Sequence, residues 1–458
     1  MERRLVRRRG QRLPRRGGRA DDAHRRVPVV HGALPHARDA ARRRRLGAPG
    51  RDQHRGPRGG RRARHRGHHP ARGHPAARRR QRGLHRRRDA LRPQRRAAPL
   101  PRRSGAVVRL TSRSLRRYHG ALGRPSGAVG RSSVERSGLL LTLVDDEGHT
   151  GRGEASPLPG HSTETLAAVT QALIDVIPRL GEAQDDVAET LRRFPSLDAL
   201  PSARCAVEVA LLDLWGQRRG VSVAALVGFD ALRLACNAQP GALVDEDIGE
   251  RCAAAVARGF GVLKLKAGSI DFTEERKTLE ALRARFPGVT WRLDVNGAWT
   301  LDEARRRLDA LDGLGVQYVE QPCEGAEVFS LGERAVPWAA DEALIDPIAR
   351  QRFLEDQDAR RGCAAAVLKP MALGWLAARE AALAAGALGL GVVVTHLLDG
   401  PVALAAACEL ARSLPGAWAC GLDRHAGLDA WPEVAVPQAE GAWVRRAEGA
   451  GLGLGALG

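Results

Sequence analysis

The sequence predicts an α/β protein: a (β/α) barrel of the TIM type with a smaller α+β unit in front of it. Two observations carry the prediction. From about Leu232 onward, short apolar strands alternate with amphipathic helical stretches. The strand ends carry unusual residues: Lys266 in VLKLKAG, Asp294 in WRLDVNG, Glu320 in YVEQPC, Asp341 in WAADEAL, Lys369 in AVLKPM and Thr395 in VVVTHLLDG, with successive gaps of 28, 26, 21, 28 and 26 residues. Each gap is about the length of one βα unit. A barrel brings the C-terminal ends of its strands to one face, so polar side chains at this register converge on one pocket.

Taken from the N-terminus, the chain of 458 residues divides by composition. Residues 1–105 hold 36 of the 74 Lys+Arg and 6 of the 52 Asp+Glu, a charge of +30, and the rest carries −8. Met1–Gly105 is a low-complexity run of Arg, Ala, Gly, Pro and His with nine of the 14 histidines and no lysine. Its arginine runs, Arg42–Arg45 and Arg78–Arg80, follow neither a helical nor a strand period. Such a composition buries too little apolar surface to offset its chain entropy, so the segment is expected to be disordered. It reads first as an upstream region translated from too early a start or in the wrong frame. A nucleic-acid-binding arm and a targeting peptide are the other readings. The overall charge of +22 comes from this segment alone, which argues against nucleic acid as a partner of the body.

Patterned sequence begins near Val107. Leu139–Val144 reads as a strand, Asp145–Gly148 as a turn and Thr150–Ala155 as the returning strand. Ser162-Thr163-Glu164-Thr165 supplies N-cap candidates for a helix through about Leu180. Ser202–Gly216 reads as a second helix, with Ala206, Val209, Ala210, Leu212 and Leu214 as apolar positions. A hairpin followed by helices is an α+β unit. The seven cysteines (Cys205, Cys236, Cys252, Cys323, Cys363, Cys408 and Cys420) are odd in number and contain no Cys-x-x-Cys, so they read as small buried residues in a reducing compartment. No apolar run approaches the ~18 residues of a membrane helix, and no apolar core follows the basic N-terminus as in a secretory signal. A cytoplasmic protein without a membrane partner is expected.

Asp294, Glu320 and Asp341 are carboxylates on three consecutive strands. Gathered in one pocket they repel one another unless a cation sits between them. Oxygen ligands without His or Cys suit Mg²⁺, or Mn²⁺ in its place, rather than zinc. Any one of the three alone reads as easily as a helix N-cap in a βα loop. Lys264 and Lys266, two apart, leave their strand on the same side. An ammonium inside a barrel needs partners. Lys266, nearer the strand end, is the better general base. Lys264, one layer deeper, sets a second positive charge beside it and reaches toward a substrate carboxylate. Lys369, further round the barrel, faces them across the pocket. A metal and lysines on both faces suit proton abstraction beside a carboxylate, so the expected partner is a small-molecule carboxylate.

With these residues in place, the sequence from about Val107 to Gly458 resembles the enolase superfamily, muconate-lactonizing subgroup. The resemblance implies a Lys-x-Lys at Lys264 and Lys266, metal ligands at Asp294, Glu320 and Asp341, a catalytic lysine at Lys369, and supporting residues at Asn296 and Glu342. It implies a modified TIM barrel, (β/α)7β, over 232–430, an α+β capping domain over 106–231, and a C-terminal segment, 431–458, that returns to the cap. GRGEASPLPGHSTETL is similar to the capping-domain signature of o-succinylbenzoate synthases, GWGE-x-x-PLPGFS-x-ET. Asn237-Ala238, the YVEQPC stretch and Gly421-Leu422-Asp423 are similar to that family too. The implied activity is a Mg²⁺-dependent dehydration of a cyclohexadiene carboxylate, through an enediolate, in menaquinone biosynthesis. Lys266 would take the α-proton and protonate the leaving hydroxide, and Lys369 would stabilise the enediolate.

The chain departs from the family at strand seven, often Ser-rich, which here runs Thr395-His396-Leu397-Leu398-Asp399-Gly400. Asp399 falls where the wider subgroup has an acidic residue, and Thr395 is a candidate for substrate binding. His396 reads equally as a substrate contact or a structural histidine. Gly297 follows Asn296 where some synthases carry an arginine. Within the superfamily the alternative is an N-acylamino-acid racemase, a dipeptide epimerase or a cycloisomerase; a racemase needs Lys266 and Lys369 as a two-base pair, and the sequence supplies both. From another class, the alternative is a nucleic-acid-binding protein acting through the Arg-rich arm. An inactive barrel has no structural need for this lysine and carboxylate set. Oligomeric state is not legible.

Overall fold

A long pair of antiparallel strands is the first described element, because alternating apolar residues face a helix on one side of it. A computed structural model describes residues 105–121, 135–269, 271–425, 428, 439–445 and 448–454. Apart from Gly105, the readings of Met1–Gly105 lie outside the described residues. Strands β1 (Val107–Ala121), β2 (Glu135–Asp145), β3 (Thr150–Ala155) and β4 (Glu182–Gln184) form an antiparallel sheet in the order β3-β2-β1-β4. Leu139, Leu141 and Leu143 of β2 are buried. Helices α1 (Leu166–Val176), α2 (Val187–Leu191) and α3 (Pro201–Arg219) follow. Gly151 and Gly153 let β3 lie directly on α3: a Cβ at either position would collide with the backbone carbonyls of Ala210 or Ala206.

Thr165 caps α1, accepting from Ala168 N at 3.2 Å. The helix expected to run to Leu180 leaves the α form at Val176 and finishes as a 3-10 turn, Ile177–Arg179. Pro178 has no N–H for another helical bond. The helix expected at Ser202–Gly216 runs three residues further, to Arg219, and ends on Gly220 at φ 64°.

After α4 (Val223–Leu226) and β5 (Arg233–Ala235), β6 (Ala238–Ala242) begins a parallel sheet. It continues through α5 (Ile248–Ala257), β7 (Val262–Lys266), α6 (Phe272–Arg285), β8 (Thr290–Asp294), α7 (Leu301–Ala310), β9 (Val316–Glu320) and β10 (Trp338–Ala340). Then come α8 (Pro347–Glu355), β11 (Cys363–Leu368), α9 (Pro370–Leu373), α10 (Trp375–Ala387), β12 (Gly391–Val394) and α11 (Pro401–Arg412). The seven strands β6 to β12 lie side by side in chain order. The β9–β10 crossover, at the shortest gap, uses a 3-10 stretch, Gly325–Ser330, instead of an α-helix. The stretch Trp418–Gly421 closes the ring. Gly421 N donates to Val394 O at 2.9 Å, and Cys420 N donates to Ala235 O at 2.8 Å. This is a modified TIM barrel carrying an α+β domain.

Strands β13 (Ala439–Glu440) and β14 (Trp443–Arg445) pair onto β5. Leu452 N donates to Asp213 on α3 at 2.8 Å. The α+β layer and the barrel belong to one compact unit. Buried carboxylates join them at helix N-termini, where backbone N–H groups lack partners and the helix dipole favours negative charge. Glu154 accepts from Gly400 N (2.7 Å) and Ala403 N (3.1 Å) at the start of α11. Glu208 accepts from Leu376 N at the start of α10, and Glu409 from Ala224 N on α4. All seven cysteines are free thiols, six of them buried and Cys363 half-buried. No helix among the described residues is long and apolar enough to cross a membrane.

Candidate active site

The barrel strands deliver charged residues to their C-terminal ends, as their register predicts. Lys266, Asp294 and Glu320 are the last residues of β7, β8 and β9, and Asp341, Lys369 and Thr395 are the first residues after β10, β11 and β12. Lys264 and Lys266 both reach Asp294 Oδ2, at 2.8 and 2.7 Å. Lys264 also donates to Glu320 at 2.5 Å, and Lys266 to Asn296 Oδ1 at 2.6 Å. Lys369 donates to Asp341 at 2.6 Å and to Glu342 at 2.8 Å. Asn296 Nδ2 donates to Glu342 at 3.3 Å and so joins the two halves into one network. The two like charges on β7 therefore meet on one shared carboxylate.

The electrostatics follow from burial and from these partners. Burial opposes the charge on Lys264, but Asp294 and Glu320 outweigh it and hold its pKa well above the ordinary lysine value. Burial likewise opposes the charge on Lys369, and Asp341 and Glu342 raise its pKa above the ordinary value. For Asp294, burial is outweighed by Lys264 and Lys266, and its carboxyl falls below the usual range. For Asp341, burial and then the neighbouring Glu342 push the carboxyl well above it.

Four carboxylates face three ammoniums. Among the described residues no three His, Cys, Asp or Glu side chains form a cluster that would by itself hold a metal ion, because lysine ammoniums stand between the acids. Yet Glu320 Oε2, Asp341 Oδ1 and Glu342 Oε2 are buried without a hydrogen-bond partner. Orphaned buried carboxylate oxygens are costly. An all-oxygen donor set short of positive charge suits a hard divalent cation.

The three non-glycine residues with positive φ among the described residues, Asn296 (49°), Gln321 (40°) and Leu398 (55°), all lie in loops that follow barrel strands. Gln321 escaped sequence reasoning, although it stands in the YVEQPC stretch. Its Oε1 accepts from Asp341 N and Ala343 N, both at 3.1 Å, which fixes the backbone that carries Asp341.

The loop after β12 is occupied differently from the lysine network. Thr395 Oγ1 donates to Gly421 O at 3.1 Å, across the barrel closure. His396 Nδ1 accepts from Leu398 N at 2.9 Å, its ring lies tilted at 39° against that of His425 with centroids 4.7 Å apart, and burial, followed by His425, pushes its pKa well down. Asp399 accepts from Leu397 N at 3.1 Å and pairs with Arg136 of β2 at 3.5 Å; burial pushes its carboxyl up to about 7. Arg136 also donates to the carbonyls of Ser156, Pro157, Leu397 and Leu398, tying this loop to the cap loop. Sequence reasoning also missed His161, which that cap loop brings to within 3.9 Å of Glu342.

Comparison with known proteins gives two family matches. Residues 247–456 match the family "Enolase C-terminal domain-like", and residues 114–213 match "MenC, N-terminal domain". An o-succinylbenzoate synthase of Klebsiella pneumoniae (strain 342) is 30% identical over 315 residues, 66% of this chain and 88% of the relative. A hydrophobic dipeptide epimerase of Roseobacter litoralis is 29% identical over 313 residues, 66% of this chain and 87% of the relative. The solved structure of a dipeptide epimerase from Methylococcus capsulatus, complexed with Mg and the dipeptide L-Arg-D-Lys, superposes with a TM-score of 0.66 at 26% identity, covering 76% of this chain and 99% of the other.

Proposed function

The chain belongs to the enolase superfamily and is an enzyme, and on that premise we propose that it is an o-succinylbenzoate synthase, a carbon–oxygen lyase acting on a cyclohexadiene carboxylate in menaquinone biosynthesis. The observation that carries the reading is the cap. Residues 114–213 match the MenC N-terminal domain and contain GRGEASPLPGHSTETL, whose loop reaches the lysine and carboxylate network.

Once it has released its own proton, Lys266 Nζ takes the proton from the carbon α to the substrate carboxylate, leaving an enediolate. The enediolate electron pair then re-forms the carboxylate as the adjacent carbon–oxygen bond breaks and the ring becomes aromatic. Lys266, now an ammonium, gives its proton to the departing hydroxide, and water leaves. Lys369 keeps its charge beside Asp341 and Glu342 and turns it toward the enediolate. Asp294, Glu320 and Asp341 would hold Mg²⁺, or Mn²⁺ in its place, which when bound supplies positive charge to the carboxylate oxygens of the substrate. A soluble substrate and seven free thiols accord with a cytoplasmic location.

Dipeptide epimerisation is the second reading. Lys266 and Lys369 stand on different strands with separate carboxylate partners, an arrangement that also suits a two-base pair. The test is an assay of the full chain with Mg²⁺ against the synthase substrate and a panel of dipeptides and N-acylamino acids. Dehydration with no turnover of the panel is expected. Turnover of a dipeptide alone would replace the synthase reading by the epimerase.

A further inference from the structure

The β4 edge of the cap sheet gathers positive charge that no acid answers. Arg109 and Arg113 on β1, Arg179 at the end of the 3-10 turn after α1, and Arg193 just past α2 line one cavity of about 640 Å³, with Gly181 and Glu182 in its wall. None of these residues belongs to the lysine and carboxylate network of the barrel. Among the described residues, none of the four guanidiniums makes an ion pair. Glu182 stands directly across from Arg109 in the β1–β4 register, yet its carboxylate pairs with none of them. The arginines of α3 behave differently: Arg204, Arg218 and Arg219 each hold a carboxylate.

Backbone carbonyls and one aromatic ring hold the cluster in place. Arg113 donates to Leu180 O at 2.6 Å and to Leu110 O at 2.9 Å. Arg193 donates to Glu182 O at 2.6 Å and to Thr190 O at 3.3 Å. The guanidiniums of Arg179 and Arg193 each lie 5.5 Å from the centroid of the buried Phe194 ring. The stretch that carries Arg179 is fastened to β1, because Leu110 N donates to Gly181 O at 2.9 Å. A guanidinium has more N–H donors than these bonds use, so Arg113 and Arg193 keep donors for a ligand. Like charges held together repel one another, and an anion placed among them relieves that repulsion.

We propose that this cavity is a second ligand site, which binds a diphosphate anion, free or carried by a nucleoside, through Arg109, Arg113, Arg179 and Arg193. The planar fork of arginine matches pairs of phosphate oxygens. A single phosphate is too small to meet four cations spread round a cavity of this size. A nucleoside diphosphate suits it, since small-molecule sites run from ~300 to ~1,000 Å³. The site uses no catalytic residue, so it stands whichever reaction the barrel performs.

The test is calorimetric titration of the full chain with Mg²⁺, at 150 mM salt, with pyrophosphate and separately with ADP. Three variants accompany the parent: Arg113→Gln, Arg193→Gln and Gly181→Glu. A Cβ at Gly181 meets no atom within 4 Å, so the last variant sets a carboxylate in the cavity wall and leaves all four arginines in place. It keeps the test decisive should an arginine variant lose its parent melting temperature. One saturable site per chain is expected, weakened about tenfold or more in each variant, the effect of a lost hydrogen bond between charged groups. Equal affinity for the two ligands identifies a free diphosphate, and tighter binding of ADP identifies a nucleotide. Absence of saturable binding overturns the proposal. So does affinity within twofold of the parent in all three variants, which would place the anion on the basic segment or in the barrel mouth.

Discussion

Only four of the 74 Lys+Arg are lysines, and three of them, Lys264, Lys266 and Lys369, stand in the barrel mouth; the fourth, Lys277, is exposed on α6. Arginine serves every other cationic position, including buried ones such as Arg136 and Arg292. Arginine cannot release its proton at physiological pH and carries a wider, planar head. Lysine is therefore kept where a compact ammonium or a transferable proton is needed. Lys266→Ala should lower kcat for dehydration by ~10²–10⁴-fold, and Lys266→Arg should do the same, since charge without proton release does not suffice. Lys369→Ala should also be severely impaired. Wild-type turnover by Lys266→Arg would show that the base has been assigned to the wrong residue. The orphaned oxygen of Glu320 leads to a second expectation. Glu320→Gln should weaken Mg²⁺ binding, read by calorimetry, by at least ~10-fold and abolish activity, while the circular dichroism spectrum stays unchanged. Unaltered Mg²⁺ affinity would remove Glu320 from the metal site. These charged residues were legible because a barrel turns regular spacing into convergence. Gln321 and His161 were not, because one works through backbone N–H groups twenty residues away and the other arrives from a different domain.

Elements were legible where periodicity decides them and illegible where a single contact does. The length of α1 turned on Pro178, and the closure of the barrel turned on a few backbone bonds of Trp418–Gly421, too short to show a strand period. The anchoring of the C-terminal stretch on α3 is of the same kind. Asp213 accepts from Leu452 N and from Arg152 N, at 2.8 and 2.9 Å, so one side chain holds the chain end and β3 to the helix. Burial pushes the Asp213 carboxyl up to about 6 from the model-compound 3.8. Its native pKa is above its unfolded one, so the native state binds the extra proton. That contribution is complete below about pH 4 and is lost as pH rises through about 6. Asp213→Asn does not titrate. Its stability relative to the parent should therefore improve between pH 4 and pH 8, by up to about 3 kcal/mol in unfolding free energy. Denaturant melts at both pH values check this, and a difference independent of pH would show that Asp213 is ionised throughout.

For the whole molecule, charge separates the chain more sharply than any element boundary: +30 on residues 1–105 and −8 on the remainder. Attraction between two such segments would be long-ranged only at low salt, since the screening length is about 8 Å at physiological ionic strength. Lys264, Lys266 and Lys369 find their partners among Asp294, Asn296, Glu320, Asp341 and Glu342, and the cap is fastened to the barrel by Arg136 and Glu154. Among the described residues, the buried core runs from Val108 onward, with Ala106 packed against it. Removal of Met1–Gly105 should therefore leave kcat/KM and the melting temperature unchanged at 150 mM salt, while the protein moves from cation-exchange to anion-exchange resin. A destabilisation of only 1 kcal/mol would shift Tm by a few degrees in a chain of this size, so calorimetry is sensitive enough to decide. A lower Tm after the deletion, or amides in residues 1–105 protected from hydrogen exchange in the full chain, would show that the basic segment takes part in the fold.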